Sequence, residues 1–235
     1  MTWVLIALNI WVFTKEMDLG EVALEEFFYT WGLVPARFLA GLAEGLPLTD
    51  LLVPWCSSMF LHGGWMHLIG NLWFLWIFGD NVEDRLGRWR FLLFYLLGGL
   101  AAALAQVVVS PDSTVPMVGA SGAISAVLAG YMVLYPKARI VTLIPLLIFV
   151  HFAELPAWVF LGLWFVFQGL SGMGSLAAGT EGGVAWFAHV GGFAAGIPLV
   201  LLLRRKDRQR RPNRDKPGSV SIITRRNPDR PIDLD

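Results

Sequence analysis

A serine and a histidine in this chain stand in glycine-rich settings that suit the hydrolysis of a peptide bond. Ser121 lies in Gly-Ala-Ser-Gly-Ala at 119–123, and His189 lies in Ala-His-Val-Gly-Gly at 188–192. A serine hydroxyl becomes an effective nucleophile when a neutral histidine within hydrogen-bond distance removes its proton. The sequence therefore makes Ser121 the candidate nucleophile and His189 the candidate general base.

His67 and Asn71 form a second polar pair. They stand four residues apart and would share one face of a helix. Attack on an amide places negative charge on the carbonyl oxygen, which needs hydrogen-bond donors that are already in position. The candidate donors are an N–H of His67, the amide of Asn71 and the backbone N–H of Ser121.

The composition indicates that these residues lie in a membrane protein. Of the 235 residues, 56% are hydrophobic and 15% are charged, whereas soluble domains average about 25% charged residues. The single cysteine, Cys56, excludes an internal disulfide framework and a cysteine-rich metal site. We therefore look for helices that cross a bilayer.

A membrane-crossing helix needs roughly 17 to 25 mostly apolar residues. The first stretch, 2–14, is short but can continue past Lys15, and it lacks the basic start and the cleavage site of a signal peptide. Segment 15–58 mixes acidic and apolar residues, which predicts short helices on the outer leaflet. Segment 140–150 is apolar, and it either lies at the interface or lengthens the fifth span. The six predicted spans are approximately 2–14, 59–79, 91–109, 115–135, 155–173 and 182–203.

The charge distribution predicts the orientation of these spans. Six spans place both termini on one side, where the connections 80–90 and 136–139 and the tail 204–235 together carry 16 basic residues. The opposite side carries Lys15 and Arg37. Because basic loops remain in the cytoplasm, we expect cytoplasmic termini. The proline-rich tail, with 11 basic and 5 acidic residues, predicts a disordered cytoplasmic extension of a membrane domain at 1–203.

This topology brings the polar residues to a common depth. Ser121 and His189 enter their spans from the outer side, and His67 and Asn71 lie in the outer half of theirs. Polar side chains inside a membrane are costly and by default indicate function. We therefore expect one site in the outer half of the membrane.

The combined pattern resembles the rhomboid family of intramembrane serine proteases. The matching residues occur in family order over approximately 57–203. They are His62, His67 and Asn71 in His-x-x-x-Asn, the run 83–85, Gly-Ala-Ser-Gly at 119–122, and 188–192 leading to Gly196. Independently of the resemblance, the four-residue spacing of Gly192 and Gly196 predicts that the sixth span packs closely on a neighbouring span, for which the fourth is the candidate.

The resemblance implies an all-α, six-transmembrane-helix bundle with a Ser121–His189 dyad. It also implies an oxyanion site formed by His67, Asn71 and the backbone at Gly119 and Ala120. Transmembrane proteins are the implied substrates, cleaved without metal, nucleotide or other cofactor. We expect the lipid bilayer as a partner, no nucleic acid, and a location in the cell or inner membrane; the oligomeric state stays open.

Two positions depart from the family pattern. Many members carry an aromatic residue four positions after the nucleophile, where it stacks on the catalytic histidine, but this chain has Ser125. A Trp-Arg pair is often found in the first loop, whereas Trp55 is followed here by Cys56.

Other interpretations compete with the dyad. His62, His67 and His189 could bind zinc, although no His-Glu-x-x-His helix supplies a general base. We expect His62 to be structural, bonded to loop backbone. Asp112 or Glu181 could orient His189 as a third member.

Two other functions and the role of one segment also remain open. The chain could be a catalytically silent rhomboid-like protein that binds transmembrane helices, or a small transporter. The segment 171–183, with five glycines, is either a mobile cap over the site or a plain connection.

Overall fold

The structure is a computed structural model, and it describes residues 1–146, 149–178 and 184–205. The first half of the chain forms α1 (Thr2–Met17), α2 (Glu21–Trp31), α3 (Pro35–Glu44), α4 (Leu48–Ser57), a 3-10 turn (Ser58–Phe60) and α5 (Trp65–Leu86). The second half forms α6 (Arg88–Val109), α7 (Ser121–Leu134), β1 (Arg139–Leu146), β2 (Phe149–Pro156), α8 (Ala157–Ala178) and α9 (Trp186–Leu203).

Three of the described helices are long and apolar enough to cross a membrane, which supports an integral membrane protein. They are α6, α8 over Ala157–Ser175, and α9, and α7 is a shorter apolar helix. Helix α5 has the length, but Asp80, Glu83, Asp84 and Arg85 crowd its last turns. The predicted total of six spans therefore remains a prediction.

Helix α7 lies at the centre of the bundle, and every residue from Gly122 to Gly130 is buried. Its neighbours come close because small residues face it. A Cβ atom added to Gly192 of α9 would lie 2.1 Å from the Gly122 carbonyl oxygen, and one added to Gly196 would lie 2.6 Å from that of Ala126. The predicted close packing of these glycines is confirmed, and it sets the first turns of α7 and α9 side by side.

Two antiparallel strands stand where the sequence predicts an interfacial segment or a longer fifth span, so the prediction of a longer helical span is wrong, and a place at the interface stays a prediction. Strands β1 and β2 pair antiparallel from Arg139 with Pro156 to Leu146 with Phe149. The run is rich in β-branched residues, and Pro145 cannot donate a helical hydrogen bond, so a strand is favoured. The fold is mostly helical rather than entirely α.

The segment between α1 and α5 contains short helices, as predicted. Helix α3 begins with Pro35 and ends at Gly45, whose φ of +73° suits glycine. Arg37 donates to the backbone carbonyls of Tyr29 and Thr30, which ties α3 to α2.

The glycine-rich segment 171–183, predicted to be a cap or a connection, belongs in its first part to helix α8. Residues 171–178 continue α8 as helix, and 179–183 lie outside the described residues, as does the tail from 206 onward.

Candidate active site

The nucleophile candidate is the first residue of α7, and the loop before it is built around a glycine. Gly119 has φ +127°, and a Cβ atom there would lie 2.7 Å from Nε2 of His67. Its N–H donates to the carbonyl oxygen of Ser58 at 2.8 Å. Gly119 is therefore required for backbone shape and space, but its engaged N–H does not serve as the oxyanion donor that the resemblance implies.

Ser121 and His189 lie at hydrogen-bond distance. The Oγ atom of Ser121 is 2.8 Å from Nε2 of His189, within the range that proton transfer to a general base requires. The beginning of α9 is held by α6, because the Ala188 N–H donates to Oε1 of Gln106 at 3.2 Å.

A third side chain, Gln168 of α8, completes the contacts of the histidine ring. Its Oε1 atom lies 2.6 Å from Nδ1 of His189, and its side chain is buried at 6% exposure. Gln168 therefore takes the position beside His189 for which the sequence offered Asp112 or Glu181 as candidates. Sequence reasoning missed Gln168, although a lone amide in the apolar fifth span was a usable signal.

Tryptophans flank the ring of His189. The Trp164 ring of α8 lies 6.1 Å from it at an interplanar angle of 34°, and the Trp186 ring lies 6.2 Å away at 86°. Ser125, which replaces the usual aromatic residue, donates to the carbonyl oxygen of Ser121 on its own helix at 2.7 Å. Helix α8 thus supplies the aromatic contact that α7 lacks.

His67 and Asn71 face the same cavity from α5. The Gly63 N–H donates to Nδ1 of His67 at 3.3 Å, so the ring proton of neutral His67 is on Nε2, beside Gly119. Asn71 is buried and donates one amide proton to the carbonyl oxygen of His67 at 3.0 Å. Its second amide proton, the His67 Nε2–H and the Ser121 N–H are the donors that this geometry offers to an oxyanion.

His62 is buried and its ring contacts loop backbone, as expected. It is 1% exposed, its backbone N–H lies 3.1 and 3.3 Å from the carboxylate oxygens of Glu16, and its Nδ1 lies 3.3 Å from the Phe60 carbonyl oxygen. Both ring nitrogens of His189 are already engaged by Ser121 and Gln168. No group of three potential metal ligands occurs within the described ranges, so the histidines do not converge on a zinc site.

The dyad opens on a cavity of about 910 Å³. Met66 and Phe74 of α5 and Trp164 of α8 give it apolar walls around the polar atoms of Ser121 and His189. This volume lies in the upper part of the range of about 300 to 1,000 Å³ that ligand-binding pockets occupy.

Part of this sequence is shared with known proteins. Residues 50–206 match the family model described as the Rhomboid domain. The chain is similar to presenilin-associated rhomboid-like protein A, mitochondrial, of Danio rerio, with 32% identity over 136 residues, 55% of this chain and 36% of the relative.

Two proteins of Arabidopsis thaliana are also similar. Rhomboid-like protein 11, chloroplastic, is 42% identical over 73 residues, 31% of this chain and 26% of the relative. RHOMBOID-like protein 4 is 32% identical over 157 residues, 63% of this chain and 34% of the relative. In all three cases the match spans only 26% to 36% of the relative's own length.

Proposed function

This chain belongs to the rhomboid family, and we propose that it is an intramembrane serine protease that cleaves peptide bonds in or beside the transmembrane helices of membrane-anchored proteins. The observation that carries this proposal is the 2.8 Å contact between Ser121 Oγ and His189 Nε2. The contact lies at the wall of a cavity that also exposes the His67 and Asn71 side chains.

The proposed reaction begins with proton transfer. Nε2 of His189 accepts the hydroxyl proton of Ser121 as Oγ attacks the substrate carbonyl carbon. The oxygen that gains charge accepts hydrogen bonds from His67 Nε2–H, the Asn71 amide and the Ser121 N–H. The imidazolium of His189 then donates its proton to the leaving amine, and an acyl-enzyme remains on Oγ.

The second half of the reaction consumes water. His189 removes a proton from a water molecule that attacks the ester carbonyl carbon, and the collapse of this intermediate returns the proton to Ser121 Oγ. The products are a new carboxylate and a new amine, and no metal or cofactor takes part in either step.

The proposed topology uses α1 and α5 to α9 as six membrane spans, with both termini in the cytoplasm. Ser121 and His189 then lie in the outer half of the bilayer, where water can reach them from the outer side. Glu83, near the end of α5, accepts hydrogen bonds from the Thr2 N–H at 2.7 Å and hydroxyl at 2.9 Å, which fixes the beginning of α1 beside α5.

The proposed substrates are helices that unwind easily. An intact helix has its carbonyls hydrogen-bonded and its backbone covered by side chains, so the scissile bond is inaccessible until the helix opens. Substrates with glycine or proline near the outer leaflet are therefore preferred. The cavity walls from α5 and α8 suit an unwound apolar segment.

The chain is an integral membrane protein, but the expected cell or inner membrane finds no support among the relatives. The name of the similar Danio rerio protein contains the word mitochondrial, and the name of one of the two from Arabidopsis thaliana contains the word chloroplastic. Fractionation of the native host cell decides the compartment.

A fluorophosphonate probe tests the proposed function. The purified protein in proteoliposomes should form a covalent adduct at Ser121, and membrane-anchored peptides should be cut at a site that sequencing of the fragments identifies. A silent helix-binding protein or a transporter would show neither adduct nor cleavage, and that result would overturn the proposal.

A further inference from the structure

We propose that Gln168 is a positioning residue for His189: its amide oxygen holds the ring in the one tautomer that can deprotonate Ser121. This inference rests on the proposed function and adds a third member to the site. Gln168 touches neither the nucleophile nor the substrate in this role, and it acts through the imidazole alone.

The geometry places the imidazole ring between two oxygen atoms. Oε1 of Gln168 lies 2.6 Å from Nδ1 of His189, and Oγ of Ser121 lies 2.8 Å from Nε2. A carbonyl oxygen can only accept a hydrogen bond, so Nδ1 must carry the ring proton. Nε2 is left with a lone pair, which accepts the hydroxyl hydrogen of Ser121.

The opposite tautomer would be inactive. With its proton on Nε2, the ring would donate to the serine oxygen and could not remove the hydroxyl proton. Nδ1 would then present a lone pair to Oε1, and two acceptors 2.6 Å apart repel each other. With Oε1 of the amide turned toward the ring, as here, the contact therefore selects the tautomer and limits the rotation of the ring.

Burial makes this contact effective. Gln168 is 6% exposed, so little water competes for its amide oxygen. Trp164 lies one turn earlier on α8 and contacts the same ring, so one helix restrains the imidazole by a hydrogen bond and by packing.

An amide fits this depth better than a carboxylate. In soluble serine proteases a buried aspartate orients the histidine, but a charged group inside the membrane is costly. A neutral glutamine supplies the same acceptor atom without that charge. Because an amide stabilises the imidazolium less than a carboxylate, its removal should cost less than the roughly 10⁴-fold associated with the wrong tautomer in the aspartate-containing triad.

The test compares three variants at α8. Gln168→Met keeps the side-chain length and removes the acceptor; Gln168→Glu keeps an acceptor; Leu170→Ala, at an exposed position two residues away, controls for general effects on α8. We expect Gln168→Met to lower kcat by about 10- to 100-fold, with KM within about twofold. Leu170→Ala should match the wild type.

The glutamate variant provides the rescue. Gln168→Glu should recover activity above pH 7 by about tenfold over Gln168→Met, and its acid limb should move to higher pH because a carboxylate stabilises the imidazolium. An unshifted profile together with an unchanged kcat in Gln168→Met would overturn the inference.

The tautomer can be measured without turnover. In ¹⁵N-histidine spectra the wild-type His189 should show a protonated Nδ1 and an unprotonated Nε2, and Gln168→Met should show a mixture. Should Gln168→Met unfold in detergent, the pH profile of Gln168→Glu and the wild-type spectrum decide the matter, and a wild-type ring protonated on Nε2 would refute the role.

The two proposals fail in different ways. A wild-type protein that neither cleaves peptides nor reacts with fluorophosphonate contradicts the protease function, whatever the tautomer. A wild-type protein that cleaves, with a Gln168→Met variant of equal kcat and equal tautomer, contradicts only the role of Gln168.

Discussion

Nδ1 of His67 accepts a hydrogen bond from the backbone N–H of Gly63, four residues earlier in the chain, at 3.3 Å. This contact leaves the proton of the neutral ring on Nε2, which lies against Gly119 at the entrance to α7. In the proposed reaction, this arrangement makes His67 a donor to the substrate carbonyl oxygen rather than a base.

Replacement of the dyad should abolish hydrolysis. Ser121→Ala and His189→Ala each remove a group that the reaction needs, so cleavage of a membrane-anchored peptide in proteoliposomes should fall by at least about 10⁴-fold. Ser125→Ala is the matched control, because that hydroxyl lies one turn further along α7 and bonds to its own helix. Turnover retained by either dyad variant would contradict the mechanism.

Loss of an oxyanion donor should lower kcat. Asn71→Ala removes the free amide proton and should cost about 10²- to 10³-fold in kcat, measured by fragment release under saturating substrate. Asn81→Ala is the control on the same helix, since Asn81 donates to the carbonyl four residues earlier in the same way but is exposed. Equal kcat values for the two variants would remove Asn71 from the site.

A methyl group at residue 119 should disable the site. In Gly119→Ala the new Cβ would lie 2.7 Å from the His67 ring, on a backbone with φ +127°, so the loop must move. Fluorophosphonate labelling of Ser121 should become at least about tenfold slower. Gly162→Ala, where an added Cβ meets nothing within 4 Å, should label at the wild-type rate.

Packing between α7 and α9 should limit stability. Gly196→Ala would place a Cβ atom 2.6 Å from the Ala126 carbonyl oxygen, forcing the helices apart at a cost of about 1–3 kcal/mol. Unfolding in detergent should show this loss, and labelling of Ser121 should slow because His189 is displaced with α9. An unaltered unfolding midpoint would mean that the helices tolerate the added volume, which contradicts the prediction. Gly174→Ala is the control, because a Cβ atom added there meets nothing within 4 Å.

Residue types and spacing predicted much of this arrangement. The nucleophile and base candidates, Ser121 and His189, come to hydrogen-bond distance in the structure, and the Gly192 and Gly196 spacing led to the right helix contact. Such features can be predicted because small residues at regular spacing in an apolar helix indicate close helix packing, and polar residues inside such a helix indicate a functional site.

Other features depend on contacts between elements far apart in the chain. Nothing local to Gln168 shows that it faces His189, 21 residues away, and Trp164 replaces an aromatic residue that the pattern places on another helix. The strand pair within 139–156 was missed because a short apolar run reads equally well as helix or strand.

Gln168 and Trp164, which both contact the His189 ring, lie one turn apart on α8, so a displacement of that helix would disturb both contacts together. An outward swing of α8, wide enough to admit a substrate from the lipid, would release the imidazole at the same time. Under the proposed function, substrate entry and proton transfer would then exclude each other, so a membrane protein that only passes the opening would meet a His189 ring that is not held for proton transfer.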